Sequence, residues 1–140
     1  MRSSTLARKI ARLTLTKKSD DVVIMDLRTL TPMADFFVIC SADSDVQMKA
    51  IADGVEEGLE KQGSIPWHKE SGSANWVLLD YVDVVLHVFH KNIRSFYNLE
   101  KLWGDAKFAY VSEDGKLATR RSSRASRSAR KKTPARKTAS

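Results

Sequence analysis

The chain has 140 residues, which suits one domain with extensions, and 42% of them are hydrophobic, enough for one core. A single cysteine excludes a disulfide framework within the chain and favours a reducing compartment, and no apolar run approaches the roughly 20 residues that span a bilayer. The net charge of +7 hides a division: residues 19–119 carry 9 bases against 17 acids, whereas residues 1–18 and 120–140 carry six and nine bases and no acid. The sequence therefore predicts an acidic body with basic ends, which suits a basic partner for the body.

The first half of the chain alternates helical and strand patterns. Residues 4–18 have Leu6, Ile10 and Leu13 at helical spacing and predict a helix capped by Ser3 or Ser4. Because this segment is basic and acid-free, a transit peptide stays open as the alternative, although the helical pattern favours a place in the fold. Residues 21–27 predict a short strand, residues 29–35 a connection, and residues 36–41 a strand buried on both faces.

A second helix is predicted from Ser44 to about Gln62, with Gly63 at its C-cap and an apolar stripe made by Val46, Ala50, Ile51, Val55 and Leu59. Residues 70–75 predict a loop or turn, residues 76–80 and 82–89 two tightly joined strands, residues 95–103 a short helix, residues 108–111 a last strand, and residues 113–115 a turn. The order indicates an α/β or α+β fold with a single mixed sheet flanked by helices on one or both sides, over residues 1–119. Residues 120–140 offer no apolar surface and predict a disordered basic tail.

The residues that could carry chemistry do not have catalytic spacing. Nucleotidyl transfer needs two carboxylates at i and i+2 on a strand after a Gly-Ser turn, but Asp80 and Asp83 are three apart and Asp43-Ser44-Asp45 fits a helix N-cap instead. His87 and His90 are also three apart, and His68 with Glu70 supplies only two ligands. Cys40 ends an apolar run and is expected to be buried. The sequence predicts no catalytic residue, no metal site and no cofactor.

Aromatic and acidic residues indicate a protein-binding surface instead of a catalytic site. Trp76, Leu78 and Asp80 alternate to one face of their strand, with Tyr81 at the following turn. Glu70, Asp83 and Glu100 add negative charge nearby. Aromatic anchors with an acidic rim suit a basic protein partner. The pattern equally allows Trp76 and Leu78 to be ordinary core residues.

Three segments resemble the ribosomal silencing factor (iojap) family. The stretch WVLLDYVDVVLHVF from Trp76 to Phe89 resembles the family's signature strand pair, and ADFFVICS from Ala34 to Ser41 resembles its second strand, followed by Ser44–Gln47 and the Ala50-Ile51-Ala52 helix. The stretch from Arg94 to Ala106 resembles the family's C-terminal signature. The resemblance covers roughly residues 5–111. Two positions depart from it: the family usually has glycine where Val82 stands, and usually has glycine directly after Glu70, where Ser71 stands.

The resemblance implies a non-catalytic role on a nucleotidyltransferase-like α/β topology that lacks the catalytic carboxylates. Family members dock on ribosomal protein fourteen of the large ribosomal subunit, block its association with the small subunit and repress translation, while organelle relatives assist large-subunit assembly. Homodimers are common. We therefore expect a bacterial, cytoplasmic silencing factor without a membrane partner, with large-subunit assembly and, as the weaker alternative, nucleotidyl transfer left open.

The expected docking face consists of Glu70, Trp76, Leu78, Asp80, Tyr81, Asp83, Arg94, Phe96 and Tyr97. The basic tail has two equally weighted interpretations: it contacts ribosomal RNA phosphates without sequence preference, or it is a solubilising or lineage-specific extension. In the first interpretation, the contacting tail bases are Arg120, Arg121, Arg124, Arg127, Arg130, Lys131 and Lys132.

Overall fold

The computed structural model describes residues 2–73, 76–91, 107–112 and 116–120. Two helices and seven strands lie in these ranges. They are α1 (Ser3–Leu15), β1 (Asp20–Asp26), β2 (Phe36–Ala42), α2 (Asp45–Glu60), β3 (His68–Ser73), β4 (Trp76–Asp80), β5 (Val84–His90), β6 (Lys107–Val111) and β7 (Leu117–Arg120).

The strands form one mixed sheet in the order β3-β4-β5-β2-β1-β6-β7. Strands β2 and β5 are parallel, with Phe36 opposite Val84, and every other neighbouring pair is antiparallel. Strand β2 is central, which explains why its run of apolar residues shows no polar face: six of its seven residues are buried. The predicted α/β class with one mixed sheet and flanking helices is confirmed.

The two faces of the sheet carry two separate apolar clusters. Alternate residues of β1, β2, β4 and β5 join the buried sides of α1 and α2 in the larger cluster, so both described helices cover the same face. The smaller cluster lies on the other face and contains Val23, Met25, Leu27, Ile39 and Phe89. Strands β2 and β5, which pair in the centre of the sheet, are therefore buried on both sides.

Helix α1 buries Ala7, Ile10, Ala11 and Thr14 against the sheet. The predicted cap by Ser3 or Ser4 is wrong, because both serines lie inside the helix and Arg2 precedes it without a side-chain cap. At the other end, Ser19 N–H donates to the Thr14 carbonyl and Lys18 N–H to the Leu15 carbonyl. This is a Schellman arrangement with Lys18 in the left-handed region at φ 62°, where glycine is usual.

Helix α2 begins as predicted, because the Ser44 hydroxyl accepts a hydrogen bond from Gln47 N–H at 3.1 Å. The Gln47 carboxamide also accepts from Asp43 N–H at 2.6 Å and donates to the carbonyls of Lys17 and Lys18 at 3.1 and 2.9 Å. It thereby joins the end of α1 to the start of α2. Gly63 closes the helix at φ 85°, in the predicted C-cap position.

Several predicted boundaries need correction. Val46 is 81% exposed and does not belong to the apolar stripe, whose buried members include Met48 and Ala52. The residues predicted as a loop at 70–75 lie largely in β3, where a bulge sets residues 71 and 72 opposite the single residue 77. Strand β7 was not predicted, and it extends through Arg120, the first residue of the predicted tail.

The predicted helix at 95–103, the turn at 113–115 and residues 121–140 of the predicted tail lie outside the described residues. In the part of the chain that the structure describes, no helix is long and apolar enough to cross a membrane.

Candidate protein-docking face

Strand β4 presents its side chains alternately to the two faces of the sheet. Val77 and Leu79 are buried on the helix side, whereas Trp76, Leu78 and Asp80 are half-buried on the other side. The predicted alternation of these three residues is confirmed. We call the side of the sheet away from α1 and α2, represented by Glu70, Trp76, Leu78 and Asp80, the Trp76 face.

The strand register adds residues of β3 and β5 to the Trp76 face. Glu70 lies opposite Leu78, which lies opposite His87, and His68 lies opposite Asp80. Directly paired residues of neighbouring strands share a face. His68 Nε2 and Glu70 Oε2 are 3.0 Å apart, so these two exposed side chains form a hydrogen bond at the edge of the sheet.

His87 lies under the Trp76 face among three aromatic rings. Its ring centroid is 4.6 Å from that of Phe37 in an edge-on arrangement, 5.8 Å from that of Trp76 and 6.1 Å from that of Phe89, both stacked. The side chain is 5% exposed, and neither ring nitrogen has a hydrogen-bond partner among the described residues. Burial lowers the pKa of His87 to about 4, so the ring is neutral at physiological pH.

Trp76 belongs both to the surface and to the core. Its ring stacks on Phe89 at 5.7 Å and on His87, and it packs against the smaller apolar cluster. The side chain is nevertheless only half-buried. The side chain therefore has a part that packs in the core and a part that is exposed, and its role as a docking anchor stays a prediction.

The turn after β4 is held by Asp80, whose Oδ1 accepts the Val82 N–H at 2.7 Å. Tyr81 N–H donates to the Val84 carbonyl and Asp83 N–H to the Tyr81 carbonyl. Asp83 is exposed, and its own carbonyl accepts from the N–H groups of Asp35 and Phe36. Neither Asp80 nor Asp83 forms an ion pair with a base in the described ranges. The turn therefore presents two carboxylates that no described base neutralises.

Val82 occupies the turn at φ 73°, in the left-handed region that a β-branched side chain avoids. This is the position at which the resembling family usually has glycine. We expect Val82→Gly to raise the free energy of unfolding by about 0.5–1 kcal/mol, because the strain of roughly 1–2 kcal/mol exceeds the extra entropy of the unfolded glycine. Chemical denaturation measures the change.

Val46→Gly is the matched control for that substitution. Val46 is also exposed but lies in the first turn of α2, where glycine lacks helix propensity, so this variant should lose up to about 1 kcal/mol. A loss of stability in Val82→Gly would show that the turn carries no strain.

The structure does not bring Tyr81 to the Trp76 face. Tyr81 follows Asp80 directly, so its ring points to the helix side, where it is 9% exposed and belongs to the larger cluster. Burial, with a smaller contribution from the carboxylate of Glu56, raises the pKa of Tyr81 to about 12. The alternation that placed Asp80 on one face already implied this position for its neighbour.

Trp67 is an exposed aromatic residue that sequence reasoning did not single out. Its side chain is 76% exposed. Its backbone N–H donates to the backbone carbonyl of Asp80 at 2.8 Å, which places the backbone of Trp67 beside the acidic turn. Ile65, two residues earlier in the chain, is 72% exposed, and Val82 in the turn after β4 is 56% exposed. Trp67 follows Pro66 in a segment without strand or helix periodicity, so the only signal was its residue type.

Of the remaining predicted contact residues, the structure describes only Arg120. Arg94, Phe96 and Tyr97, and the tail bases from Arg121 to Lys132, are not among the described residues, whereas Arg120 ends β7. Among the described residues, no group of three or more histidine, cysteine or acidic side chains is placed to hold a metal ion.

Comparisons with known proteins identify the family of the chain. The model of the family described as "Ribosomal silencing factor during starvation" matches residues 1–140. The chain belongs to the ribosomal silencing factor family. It is 46% identical over 95 residues to ribosomal silencing factor RsfS of Bacillus subtilis, covering 66% of this chain and 80% of that one. It is 37% identical over 89 residues to the chloroplastic protein Iojap of Zea mays, covering 64% of this chain and 39% of that one.

Two solved structures show the same fold. A crystal structure of a Chromobacterium violaceum protein matches with a TM-score of 0.71 at 30% identity, over 74% of this chain and 88% of that one. A crystal structure from Bacillus halodurans matches with a TM-score of 0.65 at 39% identity, over 71% of this chain and 94% of that one. The descriptions of the family and of its members name a factor that silences the ribosome, which is a regulatory role.

Proposed function

We propose that the chain is a ribosomal silencing factor that binds the large ribosomal subunit through ribosomal protein fourteen. The Trp76 face and the acidic turn after β4 make this contact, and the bound protein blocks association with the small subunit and represses translation. The protein acts by occupying a surface and performs no catalysis. Bacterial relatives at 46% identity favour a bacterial protein over an organellar one. The proposal includes a cytoplasmic setting and a homodimer as the free form.

The observation that carries the proposal is the combination of exposed aromatic surface with uncompensated acid at one place. The backbone N–H of the exposed Trp67 donates to the backbone carbonyl of Asp80, Asp83 follows in the turn, and neither carboxylate is paired with a described base. Residues 19–119 as a whole have nine bases and 17 acids, a net charge of −8. Ribosomal proteins are typically basic, so charge complementarity steers association and fixes orientation, while aromatic anchors supply affinity.

Sucrose-gradient sedimentation of separated subunits tests the proposal. The wild-type chain should migrate with the large subunit and reduce the yield of joined ribosomes. Trp67→Ala and Asp80→Asn should each weaken large-subunit binding by about 1–3 kcal/mol, or roughly 5- to 150-fold. The asparagine keeps an oxygen that can accept the Val82 N–H, so a loss of binding reports the charge and not the turn. Trp76→Ala is a less direct probe because it also removes packing from His87 and Phe89.

The controls make the same chemical changes on α2. Val46→Ala truncates an exposed apolar side chain, and Glu57→Gln removes an exposed carboxylate, both on the helix side of the sheet. Binding by Trp67→Ala and Asp80→Asn that equals binding by these controls would contradict the docking face. Migration with the small subunit, or unchanged joining of subunits, would contradict the function itself.

The tail is proposed to strengthen docking through ribosomal RNA phosphates. Residues 121–140 contain eight bases and no acid, and covalent attachment to a docked domain raises the effective concentration of such a segment at its target. The same sedimentation with a chain ending at Arg120 should show weaker binding at low salt and a smaller difference at high salt. Equal binding by the full and the shortened chain at every salt concentration would show that the tail makes no contact with ribosomal RNA.

A further inference from the structure

The outer surface of α1 is uniformly basic. Arg8 and Arg12 are exposed and lie four residues apart, about 6 Å along the helix axis, with Lys9 half-buried beside them. Lys18 is exposed just after the helix, and no acidic residue occurs before Asp20. The surface formed by Arg8, Lys9, Arg12 and Lys18 is called the α1 basic face below.

The bases of this face lack the carboxylate partners that four bases have elsewhere in the described part of the fold. Arg28 pairs with Asp26 at 2.7 Å, Lys69 with Glu56 at 2.7 Å, and Lys49 and Lys91 are also ion-paired. None of the four bases of the α1 basic face has an ion pair with any described residue. In a body whose net charge is negative, a helix surface without internal neutralisation is available to an external polyanion.

The apolar side of α1 is buried against the sheet. Ala7, Ile10 and Ala11 are at most 1% exposed and pack in the larger cluster. An amphipathic helix that binds a membrane must insert its apolar side between the lipids. Helix α1 cannot do so while it remains in the core, so its outward surface offers charge alone.

We propose that the α1 basic face binds the phosphate backbone of folded RNA, independently of sequence. Arginine guanidinium groups match phosphate oxygens in a two-pronged geometry, and Thr5 adds an exposed hydroxyl one turn before Arg8. Helix α1 contains no aromatic residue, so it cannot stack unpaired bases as single-strand binders do. A base-paired backbone, which is contacted through its phosphates, fits this chemistry.

This contact lies apart from the docking face. Helix α1 covers the face of the sheet opposite Trp76, Leu78 and Asp80. One molecule can therefore engage a basic protein with one side and an RNA backbone with the other. The inference goes beyond the proposed function and does not depend on it, because it is tested with RNA alone.

Fluorescence anisotropy of a short labelled RNA duplex with the full chain tests the proposal over a series of salt concentrations. Arg8→Glu/Arg12→Glu should raise the dissociation constant by at least about 10-fold at low salt and reduce the slope of log affinity against log salt by about 2, for two lost phosphate contacts. Arg8→Gln/Arg12→Gln should give a smaller loss in the same direction, and it remains informative if the charge reversal unfolds the helix. Lys49→Glu/Lys61→Glu on α2 changes the net charge equally and should have an effect of less than about 2-fold.

Three results would overturn the proposal. The first is wild-type affinity for the duplex in both arginine variants. The second is an equal loss in the α2 control, which would assign the binding to net charge and the shared tail. The third is tighter arginine-dependent binding to phosphatidylserine vesicles than to the duplex, which would identify a lipid surface as the partner.

Discussion

Acidification from pH 7 to pH 4 should lower the free energy of unfolding of the wild-type chain by about 3 kcal/mol more than that of His87→Phe. His87 is buried among Phe37, Trp76 and Phe89, and burial lowers its pKa from 6.5 to about 4. Each pH unit between the folded and unfolded pKa corresponds to about 1.4 kcal/mol. Phenylalanine fills a similar volume and cannot be protonated.

The direction follows from which state binds the proton. Below pH 6.5 the unfolded chain protonates His87, while the folded chain keeps the ring neutral until the pH reaches about 4. The unfolded state therefore gains protons first, and stability falls as the pH decreases through this window, then levels off below it. The Arg28 side chain lowers the pKa of Asp26, so carboxylate protonation adds a further loss at low pH that both proteins share.

Urea denaturation at several pH values measures this difference. His68→Gln is the control, because His68 is exposed on the same face and its replacement should leave the pH dependence near that of the wild type. Parallel curves for wild type and His87→Phe would mean that the buried ring is already protonated at neutral pH or finds a partner that holds the proton. The same substitution should leave large-subunit binding at pH 7 intact, since His87 is not itself exposed.

The two glycines of α2 should respond to alanine in opposite directions. A Cβ atom at Gly58 would lie 2.7 and 2.8 Å from the two methyl carbons of Leu13, closer than packed atoms approach. We expect Gly58→Ala to lower the free energy of unfolding by about 1–2 kcal/mol, because overpacking between α1 and α2 exceeds the gain in helix propensity of about 1 kcal/mol. A Cβ atom at Gly54 would meet only the flexible Lys17 side chain, with Cε at 3.1 Å.

Gly54→Ala is therefore the matched partner, with an expected gain of up to about 1 kcal/mol from helix propensity alone. The free energies of unfolding of the two variants, measured by thermal and chemical denaturation, should differ by about 1–3 kcal/mol. Gains of equal size at both positions would show that α1 and α2 separate enough to admit the methyl group at Gly58. In a Leu13→Ala background, Gly58→Ala should cost less stability than in the wild type, because the two methyl carbons in question are absent.

Periodicity predicted most of the described fold because burial in this sheet follows residue alternation closely. Trp76, Leu78 and Asp80 went to one face of β4 as the pattern required, and Gly63 and Ser44 took the cap positions that their chemistry favours. Strand β3 was missed because its sequence His-Lys-Glu-Ser-Gly-Ser contains no β-branched or apolar residue. It forms because β4 offers it an edge, and its polar composition suits a strand at the margin of the sheet.

The candidate site was predicted in part. The strand pattern identified Asp80 and Trp76, but the exposure of Trp67 depends on where the chain enters β3, which no local pattern encodes. The aromatic environment of His87 was equally hidden, since it is assembled from three strands through the register of the sheet. The sequence departure at Val82 did locate a strained turn, because glycine in relatives marks a backbone position that only glycine adopts freely.

The parallel pairing of β2 with β5 has a consequence for how the chain folds. Strands β1 and β2, and strands β3, β4 and β5, pair with near neighbours in the sequence, whereas Phe36 meets Val84 only after the whole α2–β3–β4 segment has been brought back. Closing this long loop costs chain entropy before its contacts form. We therefore expect two locally assembled units to form before they join. The seam between them, lined by Val38 and Leu86, is where the folding nucleus is expected to lie.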